Sequence, residues 1–77
     1  MKRRTLVTVY SKDNCQGCNL TKKLLDRRGV RYEEERIDQD PKALERVKEL
    51  GYLQAPVVVA PDGSHWSGFR PDLLDTL

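Results

Sequence analysis

The chain is short of several things, and each shortage excludes something. It has two cysteines, Cys15 and Cys18, and one histidine, His65. A disulfide framework of the kind that staples small secreted domains is therefore excluded, and a structural zinc site, which draws on four Cys or His, lacks ligands. No segment approaches the roughly eighteen apolar residues of a membrane helix. Aromatics amount to 6% and the net charge is only +2. Lys2, Arg3 and Arg4 at the start and Lys22, Lys23, Arg27 and Arg28 further on are largely cancelled by Glu33 to Glu35 and by Asp38 and Asp40. A nucleic-acid surface calls for a larger one-sided excess with interleaved aromatics, so neither nucleic acid nor membrane is an expected partner. The start MKRRTLVTVYSK has the basic end of a signal peptide. Its apolar run, Leu6 to Val9, is too short for an h-region and no small-residue cleavage site follows, so a cytoplasmic location is expected.

What is present describes one ordinary globular domain over residues 1–77, with 38% hydrophobic and 34% charged residues. A chain of this size buries only about 60% of the surface its unfolded form exposes, so the core is small. Thr5 to Tyr10 is β-branched and reads as a strand buried on both faces. After the capping residues of Ser11 to Asn14, a helix runs from about Cys15 to Arg28 and stops at Gly29. Val30 to Ile37 reads as a charged outer strand. Asp40 and Pro41 then start a helix with Leu44, Val47 and Leu50 on its inner face, ended by Gly51. Val57 to Ala60 and His65 to Gly68 flank Pro61-Asp62-Gly63-Ser64 as an antiparallel hairpin, and Pro71 to Leu77 forms a last helix. The order βαβαββα makes this an α/β fold whose first two strands are parallel.

Cys15 and Cys18 carry the chemistry. On a helix advancing about 100° per residue, Cys18, Thr21, Leu24 and Leu25 share an arc of about 120° with Cys15 some 60° outside it. Cys18 is thus expected to face the core and Cys15 the solvent. At a helix N-terminus the unpaired N–H groups and the positive end of the dipole favour a thiolate at Cys15. Only the thiolate attacks disulfides: at a free pKa of about 8.5 roughly 3% is ionised at pH 7, against about half at a pKa of 7. Lys12 adds to this if its ammonium reaches the sulfur and is otherwise a solvated lysine. The mechanism that follows is two-step exchange, in which Cys15 attacks a target disulfide and Cys18 then attacks Cys15 to release the reduced target. As a mere staple the pair closes a loop of about four residues, worth some 2 kcal/mol at best. A non-catalytic module whose cysteines hold zinc, or an iron–sulfur cluster shared between two chains, is the reading from another class. No cofactor or metal is expected.

With C-x-x-C between the first strand and first helix and Ala55-Pro56 before the third strand, the chain resembles the thioredoxin superfamily. In size it resembles the glutaredoxins. The passage GYLQAPVVVAPDGSHWSGFRPDLL, residues 51–74, and above all WSGFRPD at 66–72, looks like the NrdH-redoxins, which supply electrons to class Ib ribonucleotide reductase. The resemblance covers essentially the full chain. It implies a thioredoxin fold with a four-stranded mixed sheet flanked by helices. Cys15 would be the attacking thiol and Cys18 the resolving one. Pro56 would be cis, presenting the backbone of Ala55 to a bound polypeptide strand. Lys12, Gln16, Gly17, Trp66, Phe69 and Arg70 would join the partner-binding surface, although an aromatic such as Trp66 or Phe69 on the last strand of a small protein is more often core, and Arg70 has Asp72 within reach of its own segment. The implied reductant is thioredoxin reductase and the implied client the large subunit of ribonucleotide reductase, served by a monomer. Residues 67–72 replace the Gly-Gly and Asp-Asp cluster with which glutaredoxins hold glutathione, which places a glutathione-dependent glutaredoxin second. Gln16-Gly17 departs from the hydrophobic residue and Gln that the family often carries there. His65 is expected on the surface of the hairpin, and Tyr10 and Tyr52 in packing.

Overall fold

The computed structural model describes residues 6–77. Lys2, Arg3, Arg4 and the expected strand start at Thr5 lie outside the described residues. The elements are β1 (Val7–Ser11), α1 (Gln16–Arg27), β2 (Tyr32–Arg36), α2 (Pro41–Glu49), β3 (Val57–Val59), β4 (His65–Ser67) and α3 (Pro71–Leu74). They form a thioredoxin-like fold with a four-stranded mixed sheet in the order β2-β1-β3-β4. β1 pairs in parallel with β2 and antiparallel with β3, and β3 pairs antiparallel with β4. The expected order and the outer position of β2 both hold.

Alternation along β1 divides the core into two layers. Val7 and Val9 point to one face, where they pack with Leu25, Val58, Trp66 and Leu74. Tyr10 points to the other, with Ala43, Val47 and Val57. Helices α1 and α3 therefore cover one face and α2 the other. Arg28 of the α1 cap meets Asp75 at 3.0 Å, joining the two helices of the first layer.

The helix boundaries follow from their capping chemistry. Asp40 caps α2 by accepting from the Lys42 N–H at 3.0 Å, with Pro41 in the first turn. Both long helices end in a left-handed glycine, Gly29 at φ +72° and Gly51 at φ +94°. In each, the following N–H returns to the last turn: Val30 to the Leu25 carbonyl at 2.9 Å and Tyr52 to that of Val47 at 3.1 Å.

Two expectations about elements are corrected. Leu44 is 37% exposed, and the inner face of α2 is Ala43 and Val47 instead. A residue as small as Ala43 lets the helix approach Tyr10 and Val57, which turns Leu44 toward solvent. The last helix ends at Leu74 rather than Leu77; Thr76 closes it by donating its hydroxyl to the Leu73 carbonyl at 2.6 Å, while Leu77 still packs on the core. No helix among the described residues is long and apolar enough to cross a membrane.

Candidate functional site

The site gathers three segments at the C-terminal end of β1. The first is the turn into α1. Asn14 takes a positive φ of +53°, which swings the chain from β1 to the helix start, and Cys15 follows as the N-cap with extended backbone angles. Its sulfur accepts the Cys18 N–H at 3.1 Å, and its carbonyl accepts the Asn19 N–H at 3.1 Å. One of the orphan donors of the first turn is thus spent on Cys15 Sγ, where the helix dipole is also most positive. Cys15 and Cys18 are joined as a disulfide with their Cα atoms 5.2 Å apart, inside the ordinary range for such a bridge.

The second segment is Ala55-Pro56, whose peptide bond is cis. The third is the loop after β4, where Gly68 donates its N–H to the Pro56 carbonyl at 2.8 Å. Gly17 is the point where all three meet. A Cβ built there would lie 3.2 Å from Pro56 Cδ and 3.8 Å from Phe69 Cβ, so any larger residue pushes on the proline ring. Glycine between the cysteines lets the CxxC turn lie against Pro56.

The expected site residues separate on inspection. Cys15, Gly17, Cys18, Pro56 and Phe69 come together, with Ala55 one bond away. Lys12 and Gln16 lie on the exposed rim. Cys18 is fully buried, but Cys15 is not turned to solvent: it keeps only 8% of its surface. The helical wheel applies to residues inside a helix, whereas Cys15 sits one step before it, with its sulfur folded back over the first turn. Trp66 is corrected as well. It is 7% exposed and packs with Val7, Val9, Leu25, Val58 and Leu74, so it is core and not a partner-facing anchor. Its Nε1 finds no acceptor among the described residues. Phe69, by contrast, is 36% exposed beside the disulfide. Arg70 takes the Asp72 option in a two-pronged pair, Nε at 3.2 Å and Nη2 at 2.9 Å. That pair raises the arginine's pKa and holds the Asp72 carboxyl below its usual range.

Other residues around the site escaped the sequence reading. Ser11, 1% exposed at the end of β1, donates to Glu34 at 2.5 Å, and Lys22 of α1 donates to the same carboxylate oxygen at 2.8 Å. The extension of the Val7, Val9 alternation to Ser11 is the only sequence signal for it. Asp38 accepts the Asp13 N–H at 3.0 Å and is held by Arg36, which ties the loop before Cys15 to the end of β2. Leu53, two residues before Ala55, is 86% exposed. His65 is exposed as expected, with Nδ1 2.8 Å from the Tyr52 hydroxyl. Among the described residues no group of three or more His, Cys, Asp and Glu is placed to hold a metal ion.

Comparison with known proteins agrees with this geometry. The glutaredoxin family model matches residues 7–66. The chain is 41% identical over 71 residues to the glutaredoxin-like protein NrdH of Escherichia coli strain K12, covering 92% of this chain and 86% of that protein. It is 43% identical over 72 residues to the NrdH protein of Lactococcus lactis subsp. lactis strain IL1403, covering 94% and 99%. The solved structure of the E. coli NrdH-redoxin superposes with a TM-score of 0.86 at 39% identity, over 92% of each chain. With a redox-active CxxC at the start of its first helix, this thioredoxin-like fold and these relatives over nearly its whole length, the chain belongs to the glutaredoxin family, among the NrdH-type thiol–disulfide oxidoreductases.

Proposed function

We propose that the protein is a monomeric, single-domain cytoplasmic electron carrier, reduced by thioredoxin reductase, that reduces the disulfide of the large subunit of class Ib ribonucleotide reductase. The Cys15 thiolate attacks one sulfur of the target disulfide; that bond breaks, and the other target sulfur leaves as a thiolate. Cys18 then loses its proton and attacks Cys15 Sγ, which expels the second target thiolate and forms the Cys15–Cys18 disulfide. Two electrons have moved to the target, and the reductase returns two to the carrier.

The observation that carries the reading is the placement of Cys15. Its sulfur caps a helix N-terminus and receives the Cys18 N–H at 3.1 Å beside cis Pro56. A hydrogen bond and a dipole that both favour sulfur anion are what a nucleophilic thiol needs. Cys18, fully buried, is reached by Cys15 but not by a bulky target, which suits a resolving thiol. In this reading the backbone of Ala55, one residue before Pro56, pairs with an extended client segment, and Phe69, Gln16 and Lys12 contribute to the partner-binding surface. The choice of reductant is supported by the thioredoxin-like activity profile described for the E. coli relative, and by Ser67 to Asp72 standing where glutaredoxins hold glutathione.

The test is NADPH oxidation with a disulfide substrate, using thioredoxin reductase in one reaction and glutathione with its reductase in another. Turnover is expected in the first alone; turnover with glutathione alone would overturn the assignment. Cys15→Ser abolishes turnover, and Cys18→Ser accumulates one equivalent of mixed disulfide with the target, visible as an intact-mass adduct.

A further inference from the structure

The inner face of α1 holds a polar group that the exchange chemistry leaves unused. Two buried side-chain polar atoms have no hydrogen-bond partner among the described residues, Trp66 Nε1 and Thr21 Oγ1. Trp66 sits among Val7, Val9, Leu25, Val58 and Leu74, none of which takes part in the reaction. Thr21 is placed differently. It is fully buried on the same face of α1 as Cys18, three residues further along the helix.

Residues three apart are neighbours on a helix surface, and a helical side chain leans toward the helix N-terminus, so Thr21 overlies the turn that carries Cys18. A threonine hydroxyl inside a helix commonly folds back onto the carbonyl three or four residues earlier, here that of Cys18 or Gly17. Thr21 makes neither bond. A buried hydroxyl without a partner costs free energy, and such groups mark strained or chemically active places. In the oxidised protein the Cys18 sulfur is neutral and bonded to Cys15. Reduction frees that sulfur as a thiol or thiolate, and a thiolate is the stronger acceptor.

The resolving step requires a Cys18 thiolate, and Cys18 has no exposed surface on which water could stabilise one. No carboxylate, ammonium or imidazole is buried among the described residues, where Ser11 and Thr21 are the only buried serine or threonine side chains. The Ser11 hydroxyl is engaged with Glu34. The Cys18 N–H is directed to Cys15 Sγ. Thr21 alone remains. We infer that the Thr21 hydroxyl donates a hydrogen bond to the Cys18 sulfur once the disulfide opens, and so holds the resolving thiolate. The inference rests on the two-step exchange set out above. In its second step Cys18 Sγ bonds to Cys15 Sγ, the bond from Cys15 to the target breaks, and the proton lost by Cys18 ends on the released target thiol. Thr21 keeps its own proton throughout.

The test mixes reduced protein with one equivalent of dithiobis(nitrobenzoate) in stopped flow, where attack by Cys15 and resolution by Cys18 each release one thionitrobenzoate. In Thr21→Val the second release is expected to slow by about fivefold or more with the first unchanged, and Thr21→Ser, which restores the hydroxyl, should recover most of the rate. The thiol–disulfide equilibrium of Thr21→Val should also move about three- to tenfold toward the disulfide, a potential about 15–30 mV lower. Its melting temperature should not fall, because an unpaired hydroxyl has left the core. A slower carrier that is no less stable is a result that a merely structural role does not give. A second release unchanged in Thr21→Val would overturn the inference and leave the exchange mechanism standing, whereas no second release from the unsubstituted protein would overturn both. Equal slowing in Thr21→Val and Thr21→Ser would assign the effect to packing and overturn the role of the hydroxyl.

Discussion

Ser11, Glu34 and Lys22 belong to β1, β2 and α1, and one carboxylate oxygen holds all three together. The Lys22 hydrogen bond is the largest influence on Glu34 and the Ser11 hydroxyl the next; together they outweigh burial and hold its carboxyl below the usual range. A carboxylate whose folded pKa lies below its unfolded one contributes stability that is complete above the unfolded value. That contribution is lost as pH falls through the folded value. The side chains are 24% and 31% exposed, so solvent screening limits the contribution to under about 1 kcal/mol. Glu34→Gln should therefore lower stability by that amount near pH 7, and the gap between the two proteins should close as pH falls from about 5 to 3. The unsubstituted protein should lose the contribution across that interval. Urea midpoints measured at a series of pH values check this, and parallel pH profiles for the two proteins would contradict it.

At the scale of the element, α2 shows which features can be read in a sequence. Its ends were legible because they are local chemistry: Asp40 and Pro41 start the helix and Gly51 ends it. Its inner face was only half legible. Val47 and Leu50 were read correctly, but the spacing does not distinguish Ala43 from Leu44, and packing against Tyr10 chose the smaller residue. The Ser11–Glu34–Lys22 contact was beyond reach for a related reason, since it needs the parallel register that sets Ser11 against Arg36. The cap can be tested by itself. Asp40→Ala leaves the Lys42 N–H without its acceptor and should cost about 1 kcal/mol, whereas Asp40→Asn should retain most of it. Chemical denaturation with an unchanged m-value is the measurement; equal losses in both variants would show that the carboxylate's charge, rather than the cap bond, stabilises α2.

For the whole molecule, the fold was legible because the alternation of strand and helix patterns accounts for every segment, and the disulfide pair because its spacing is local. The rest of the site was not, because Gly17, Pro56 and Phe69 meet only in three dimensions; resemblance alone pointed to cis Pro56. The two aromatics of WSGFRPD divide on the same ground, and the smallness of the protein makes the division measurable. A 77-residue domain has a total stability of roughly 4–12 kcal/mol. Trp66 joins β4 to both Leu25 of α1 and Leu74 of α3, so truncating it should cost about 3–5 kcal/mol, a large part of that total. Trp66→Ala is expected to be largely unfolded at 37 °C, and Trp66→Phe, which keeps a ring in the core and removes the unpartnered N–H, should cost far less. Phe69 lies over Gly17 with a third of its surface in water. Phe69→Ala should stay folded, within about 1 kcal/mol of the unsubstituted protein, yet reduce a protein disulfide more slowly while reducing a small-molecule disulfide at an unchanged rate. Thermal melts and the two reduction assays separate the roles. A cooperative, undisplaced melt for Trp66→Ala would remove Trp66 from the core, and equal slowing of both substrates by Phe69→Ala would place Phe69 in support of the sulfurs rather than in contact with the partner.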